Sequence, residues 1–278
     1  MRTYFFVPAA KFDKVRKIET LNVDEIIIDF EDAILKGDRQ SYLREVVNDI
    51  HYLKYWYRTP LRSNDGTELD FSFLSQLLSS DISKVVLPKL NSAMELKQTL
   101  DFIGSLNKNC HCIVLIEHPR LLIEMGTLLS NSKYSGQIIA VGIGSHDLMN
   151  VLGAEHTSEQ IFYPRMQVLY LAKAYKKEAI DIASMNIDNI QAFQEELHFG
   201  LESGYDAKFL IHPRQLAWLQ NFDLIRTRQL AWANKILAGL PEDHQGEDVE
   251  PYILDGQVIE KPHVVKAKEI IKKYSNEK

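Results

Sequence analysis

The chain has 278 residues, with 32 Lys+Arg against 38 Asp+Glu, a formal charge of −6. Hydrophobic residues make up 45% and charged ones 25%, the balance of an ordinary globular protein. The acidic excess argues against general nucleic-acid binding, and the longest apolar runs, at 26–29 and 112–116, fall far short of the ~20 residues of a membrane span. The opening MRTYFFVPAAKFDK lacks a signal-peptide apolar region with a cleavage site, so a cytoplasmic location is expected. Cys110 and Cys112 are expected to be reduced thiols, because alternate residues of one strand lie too close for an unstrained bridge.

Eight short runs read as strands: 3–8, 25–30, 56–62, 84–88, 112–117, 138–143, 179–184 and 207–212. Most are rich in β-branched or aromatic residues, and several are apolar on both faces, as buried parallel strands should be. Their starts are spaced by about 29 residues, the size of a βα unit. Between them lie amphipathic segments. The stretch from Arg39 to Leu53 places Leu43, Val46, Val47, Ile50 and Leu53 on one face. Ser92 followed by Glu95 reads as a capping box opening a helix through Leu106. The segment after Asn186 offers Ile190, Phe193, Leu197 and Leu201 and stops at Gly204. Strand–helix alternation of this length predicts a (β/α)8 TIM barrel. A doubly wound sheet would carry a glycine-rich phosphate turn after its first strand, and VPAAKF has no glycine.

Beyond the eighth run, helices are predicted over 213–222 and 227–239, then an acidic connector at 241–251. A strand-like YIL, a DG turn and a final helix from about Pro262 follow. The expected division is a catalytic barrel over 1–225 and a C-terminal helical extension over 226–278. That extension has too little apolar material to fold alone, so it is expected to pack on the barrel or on a neighbouring subunit.

Active sites of such barrels lie where the strands end. Here nearly every strand exits into a polar group: Asp29, Glu31 and Asp32, Arg62 to Asn64, Lys89, Glu117, Gly144 to Asp147, Ser184 and His212. Glu117 and Asp147 follow adjacent strands, and two carboxylates brought together repel unless one is protonated or a cation lies between them. Mg²⁺ suits that pair, with a 2-oxo acid supplying further oxygens; the alternative is a rim ion pair between Glu117 and Lys89. Arg62, with Asn64 two residues on, suits a carboxylate or a developing enolate oxygen, or else an ion pair with Glu31 or Asp32. The acids at 29–32 orient that arginine, hold metal-bound water or are simply solvated. His118, His146 and His212 adjoin these positions without any HExxH pattern, and no serine stands in a GxSxG setting.

The order R-T-x-F-F-V-P, IIIDFEDA, R-S-N, VVLPK, LIEHP, GIGSHDL and IHPRQ resembles the citrate lyase β-subunit-like branch of the HpcH/HpaI aldolase superfamily, which includes citryl-CoA and malyl-CoA lyases. The resemblance runs from Arg2 to about Ile271. It implies a (β/α)8 barrel, a Mg²⁺ site on Glu117 and Asp147, and a substrate arginine at Arg62. It also implies a carbon–carbon bond cleaved or formed beside a carbonyl. Glu31 and Asp32 then join Arg62 as catalytic candidates, and Asn64 and Lys89 join it in binding a carboxylic acid or acyl-CoA. Family members are homo-oligomers, often trimers, and some lend a tail acid to the adjacent barrel; the matching position is Glu260, which otherwise caps the last helix.

This sequence departs from the family pattern at Ala9, where glycine is usual, at His118-Pro119-Arg120 after the metal glutamate, and at Arg39 in place of a lysine. Those changes leave the metal pair and the arginine but alter the walls where a CoA thioester enters. The expected activity is a Mg²⁺-dependent lyase acting through an enolate. Its alternatives are an acyl-CoA thioesterase or condensing enzyme on the same site, or a non-catalytic barrel subunit.

Overall fold

The computed structural model describes residues 1–275 except 33, 64, 108, 221–222 and 241–249. It divides into two compact units, Met1–Leu219 and Gln220–Lys278. In the first, the elements run β1 (Arg2–Pro8), α1 (Val15–Glu19), β2 (Glu25–Asp29), α2 (Arg39–Val47), β3 (Trp56–Arg58), α3 (Ser72–Ser79), β4 (Lys84–Leu87) and α4 (Ala93–Leu106). They continue through β5 (His111–Ile116), α5 (Pro119–Leu129), α6 (Ser132–Ser135), β6 (Ile138–Ile143), α7 (Ser145–Leu152), α8 (Ser158–Ala174), β7 (Glu178–Asp181), α9 (Ile190–Ser203), β8 (Ala207–Leu210) and α10 (Pro213–Gln220).

The eight strands close into a parallel barrel in sequence order, with β1 pairing both β2 and β8. Its interior is filled by Tyr4, Ile27, Trp56, Val86, Ile113, Leu115, Ile180 and Phe209. Gly142 of β6 makes room for one of the rings: a Cβ there would lie 2.5 Å from Phe209. Register sets the functional end. Pro8, Asp29 and Arg58 are partners across β1, β2 and β3, and Ile116 partners Ile143, so Glu117 and Gly144 leave the barrel side by side. Between barrel and helices, Asp181 takes a bidentate pair from Arg165 at 3.0 and 2.7 Å, with the fully buried Lys208 beside it at 3.6 Å.

Three expectations need correcting. The third strand is only Trp56–Arg58, because Pro60 has no amide hydrogen to continue the ladder, so Arg62 lies beyond the strand rather than at its end. The second helix stops at Val47: Asp49 turns back to cap His51 and pairs with Arg16, leaving Ile50 87% and Leu53 50% exposed. Ser92 does cap α4 through the Glu95 amide at 3.3 Å, but the Glu95 carboxylate goes to Arg62 and the Asn91 amide instead of completing a box. Gly204 ends α9 in the left-handed region, φ 100°.

The second unit comprises α11 (Asp223–Ala238), β9 (Tyr252–Leu254), β10 (Gln257–Ile259) and α12 (Lys261–Ser275). Ala233, Ile236, Ile259, Val264 and Ala267 form its own small core. Asp255 and Gly256, at φ 51° and 77°, make the two-residue turn between its antiparallel strands. Pro262 falls in the first turn of α12. Most of the predicted connector, 241–249, lies outside the described residues. Among the described residues no helix is long and apolar enough to cross a membrane.

Candidate active site

A cavity of about 350 Å³ opens at the C-terminal mouth of the barrel. Phe6, Leu115, Ile143, Ala183, Phe209 and Ile211 give it apolar walls, while Asp29, Asp32, Arg58, Glu117, Ser145 and Asp147 supply its polar groups. Such a mixture, mostly apolar with a few convergent charges, is typical of small-molecule sites.

Arg58 is the organising cation. Its Nε and Nη2 donate to Asp29 Oδ1 and Oδ2 at 2.7 and 2.6 Å, and its Nη1 lies 3.2 Å from both Glu31 Oε2 and Asp32 Oδ2. Its guanidinium carbon sits 5.1 Å from the Phe6 ring centroid. Burial works against its charge, but the three acids outweigh burial and hold its pKa above the ordinary range. Lys89 is the second cation, with Nζ 2.7 Å from Glu31 Oε1 and 2.6 Å from Asp32 Oδ1. Its backbone is left-handed at φ 52°, unusual for a residue with a side chain and a strain of about 1 kcal/mol or more. That conformation turns its amide to Glu117 Oε2 at 2.5 Å and its carbonyl to Arg62 Nε at 2.7 Å.

Glu117 is 4% exposed. Burial, followed by the charges of Glu31 and Asp147, pushes its pKa up to about 8. Burial likewise lifts Glu31 to about 7 despite Arg58 and Lys89, whereas on the more open Asp32 those cations win and the pKa falls. Asp147 stands in the first turn of α7 and lines the same cavity. Between them Gly144 forms a cradle with no spare room: a Cβ would lie 2.4 Å from Glu117 Cγ and 2.5 Å from Oε1.

Two hard carboxylate donors, one buried at a like-charge penalty, fit a divalent cation such as Mg²⁺, which removes the penalty. Among the described residues no group of three or more His, Cys, Asp or Glu side chains converges as a ligand set. The fit is therefore to an ion taking two protein carboxylates and filling its remaining positions with other oxygens. Gly144→Ala tests the cradle. It is expected to cost about 1–3 kcal/mol of stability through the forced displacement and to weaken Mn²⁺ binding measured by paramagnetic resonance.

Sequence reasoning placed Arg62 in this role, and the structure puts it in the lining of a neighbouring cavity with Glu31, Asp32, Lys89, Glu117 and Asp147. All three faces of the Arg62 fork are engaged, by the Lys89 carbonyl and by a bidentate pair with Glu95, 3.0 Å at Nη1. Neither Glu31 nor Asp32 pairs with it; both pair with Arg58 and Lys89. Asn64 lies outside the described residues. The signal for Arg58 was present in sequence, since Pro60 ends the ladder and Arg58 is the first charge before it. His118 and His212 are helix caps, each accepting through Nδ1 from the amide two residues on, at 3.1 and 3.2 Å. Glu260 is exposed just before α12, its carbonyl accepting from the His263 amide at 2.9 Å.

A closed (β/α)8 barrel with acids and an arginine gathered at its C-terminal mouth defines a TIM-barrel enzyme. A family model described as HpcH/HpaI aldolase/citrate lyase matches residues 2–213, and the chain belongs to that family. It is 25% identical to the citrate lyase subunit beta of Haemophilus influenzae, over 98% of this chain and 96% of that protein. It is 24% identical to human mitochondrial citramalyl-CoA lyase, over 97% of this chain and 84% of that one, and 22% identical to a (3S)-malyl-CoA thioesterase of Cereibacter sphaeroides, over 98% and 94%. The fold matches CitE from Mycobacterium tuberculosis in complex with magnesium, acetoacetate and coenzyme A, with a TM-score of 0.76, 20% identity and coverage of 99% and 98%.

Proposed function

We propose that this chain is a Mg²⁺-dependent carbon–carbon lyase acting through an enolate on a 2-oxo acid or an acyl-CoA thioester. The observation that carries the reading is the buried Glu117 carboxylate beside Asp147, facing Arg58 across a largely apolar cavity. Glu117 and Asp147 would hold the ion, which when bound supplies Lewis-acid charge beside the forming oxyanion.

The protein's own groups do the rest. Arg58, fixed by Asp29, keeps a preorganised donor at the cavity, costing no reorganisation when charge develops there. Lys89, anchored to Glu31 and Asp32, presents a second cation for a substrate carboxylate. Phe6, Leu115 and Phe209 exclude water and strengthen those charges. A cavity of about 350 Å³ suits a small acid, or the acyl end of a thioester whose remainder lies outside.

A cytoplasmic homo-oligomer, with a trimer as the favoured assembly, belongs to the same proposal. So does the loan of Glu260 to a neighbouring barrel; support for both is the family resemblance, and the exposed Glu260 is free of side-chain burial.

The test is a panel of 2-oxo acids and 3-hydroxyacyl-CoA thioesters, including malyl-CoA and citramalyl-CoA, incubated with protein and Mg²⁺. Paired products of carbon–carbon cleavage are expected. Free CoA with an intact hydroxy acid would instead favour thioester hydrolysis on this site, and no turnover of any member would favour a non-catalytic barrel.

A further inference from the structure

A retro-aldol cleavage needs a group to take the proton of the substrate hydroxyl, and the acids at the mouth are poorly placed for it. Asp29 is saturated by Arg58, and Glu31 and Asp32 are both held by Arg58 and Lys89. A different pair stands on the opposite wall. Ser145, the first residue of α7, is 3% exposed yet lines the catalytic cavity. Its Oγ lies 2.8 Å from His156 Nε2.

His156 comes from the short segment between α7 and α8, after the chain reverses at Gly153 in the left-handed conformation. Its ring is stacked flat on His146, centroids 3.7 Å apart and planes 3° from parallel. That stack fixes the ring plane so that Nε2 faces the serine. Behind the two histidines lies a second, larger cavity of about 980 Å³, lined also by Thr157, Glu159 and Asn186. The hydroxyl thus faces the catalytic cavity while its histidine faces another that can hold water.

We propose that Ser145 and His156 form the proton-accepting pair of the reaction, Ser145 Oγ taking the substrate hydroxyl proton as it passes its own to His156 Nε2. The proposal rests on the lyase reading above. The substrate O–H bond breaks and its electron pair becomes the second bond of the new carbonyl. The carbon–carbon pair passes to the enolate. Ser145 gains one proton and loses one, and His156 carries it until water in the second cavity removes it, while the enolate carbon is protonated from solvent. Burial, aided by His146 and Arg165 against the opposing pull of Glu196, holds His156 below the ordinary imidazole range, so it enters the cycle neutral. The relay uses the tautomer with the ring proton on Nδ1, which leaves Nε2 to accept.

The experiment compares wild type with Ser145→Ala, Ser145→Thr, His156→Gln and Glu117→Gln. Two reactions are followed: cleavage of malyl-CoA and citramalyl-CoA, and deuterium uptake from D2O into the methyl group of acetyl-CoA. Gln at 156 can still accept the serine hydrogen bond but cannot take a proton. Ser145→Ala and His156→Gln are expected to lower cleavage kcat by about 10²-fold with little change in KM, the size of a lost general base. Ser145→Thr restores most of that loss. Because methyl exchange does not involve the hydroxyl proton, the ratio of exchange to cleavage rises by about tenfold or more in both variants. In Glu117→Gln both reactions fall together. Cleavage by Ser145→Ala or His156→Gln at the wild-type rate overturns the pair while leaving the lyase reading intact, and so does an unchanged exchange-to-cleavage ratio. A wild-type protein that neither cleaves nor exchanges overturns the lyase reading and the pair with it.

Discussion

Glu117→Gln is expected to lower turnover by about 10³-fold, the several kcal/mol that an ion's charge supplies to a developing oxyanion. The amide keeps the shape of the carboxylate and can still meet the Lys89 amide through its oxygen, so the cradle under Gly144 stays filled. What it lacks is the negative charge that holds a cation. Stability should move the opposite way in chelator-treated protein. The Glu117 pKa lies near 8, above its ordinary value of 4.5, so folding favours the protonated form. Its contribution is fully present below about pH 4.5 and is lost as pH rises through about 8. Metal-free wild type should therefore lose melting temperature relative to Glu117→Gln between those limits, and added Mg²⁺ should recover the loss only in wild type. Parallel melting curves with added Mg²⁺ would contradict the assignment of Glu117 as a ligand.

Arg58→Lys is expected to lower kcat by about 10²–10³-fold, the cost of losing one preorganised donor to an oxyanion. Arg58 spends two of its nitrogens on Asp29 and offers the third edge to the acids and the cavity. An ammonium cannot span those partners, so Asp29, 4% exposed, would keep at most one of the two side-chain hydrogen bonds it accepts here, beside the one from the Glu31 amide. Arg62→Lys is the comparison that decides between the two arginines. It disturbs the pair with Glu95 and the Lys89 carbonyl, and should cost less than Arg58→Lys in kcat. Steady-state kinetics on both variants decides which arginine serves the cavity.

The barrel was legible because its physics is repetitive. Parallel strands covered on both faces must be apolar and β-branched, and their spacing by about 29 residues leaves little choice of topology. Strand ends were harder to read. The run at 56–62 continues in polarity through Arg62, but Pro60 ends the ladder, which leaves Arg58 as the last residue of the strand. Ile50 and Leu53 kept helical spacing after the backbone had already turned at Asn48 and Asp49. Glu117, Gly144 and Asp147 stood out as residues leaving adjacent strands, whereas Arg58's web of acids depends on register across three strands. The pair of Ser145 and His156 had no local signature at all, because 11 residues and a reversal at Gly153 separate the two.

The most direct measurement follows carbon rather than CoA. The acyl-CoA selected by the panel, labelled with ¹³C on both sides of the scissile bond, is incubated with chelator-treated protein and observed by NMR before and after addition of Mg²⁺. A lyase built on Glu117, Asp147 and Arg58 yields the 2-oxo acid and the shortened acyl-CoA in equal amounts, only after Mg²⁺ is added, and not with Glu117→Gln. Free CoA with the labelled bond intact, or cleavage that proceeds undiminished in the chelator, would contradict it.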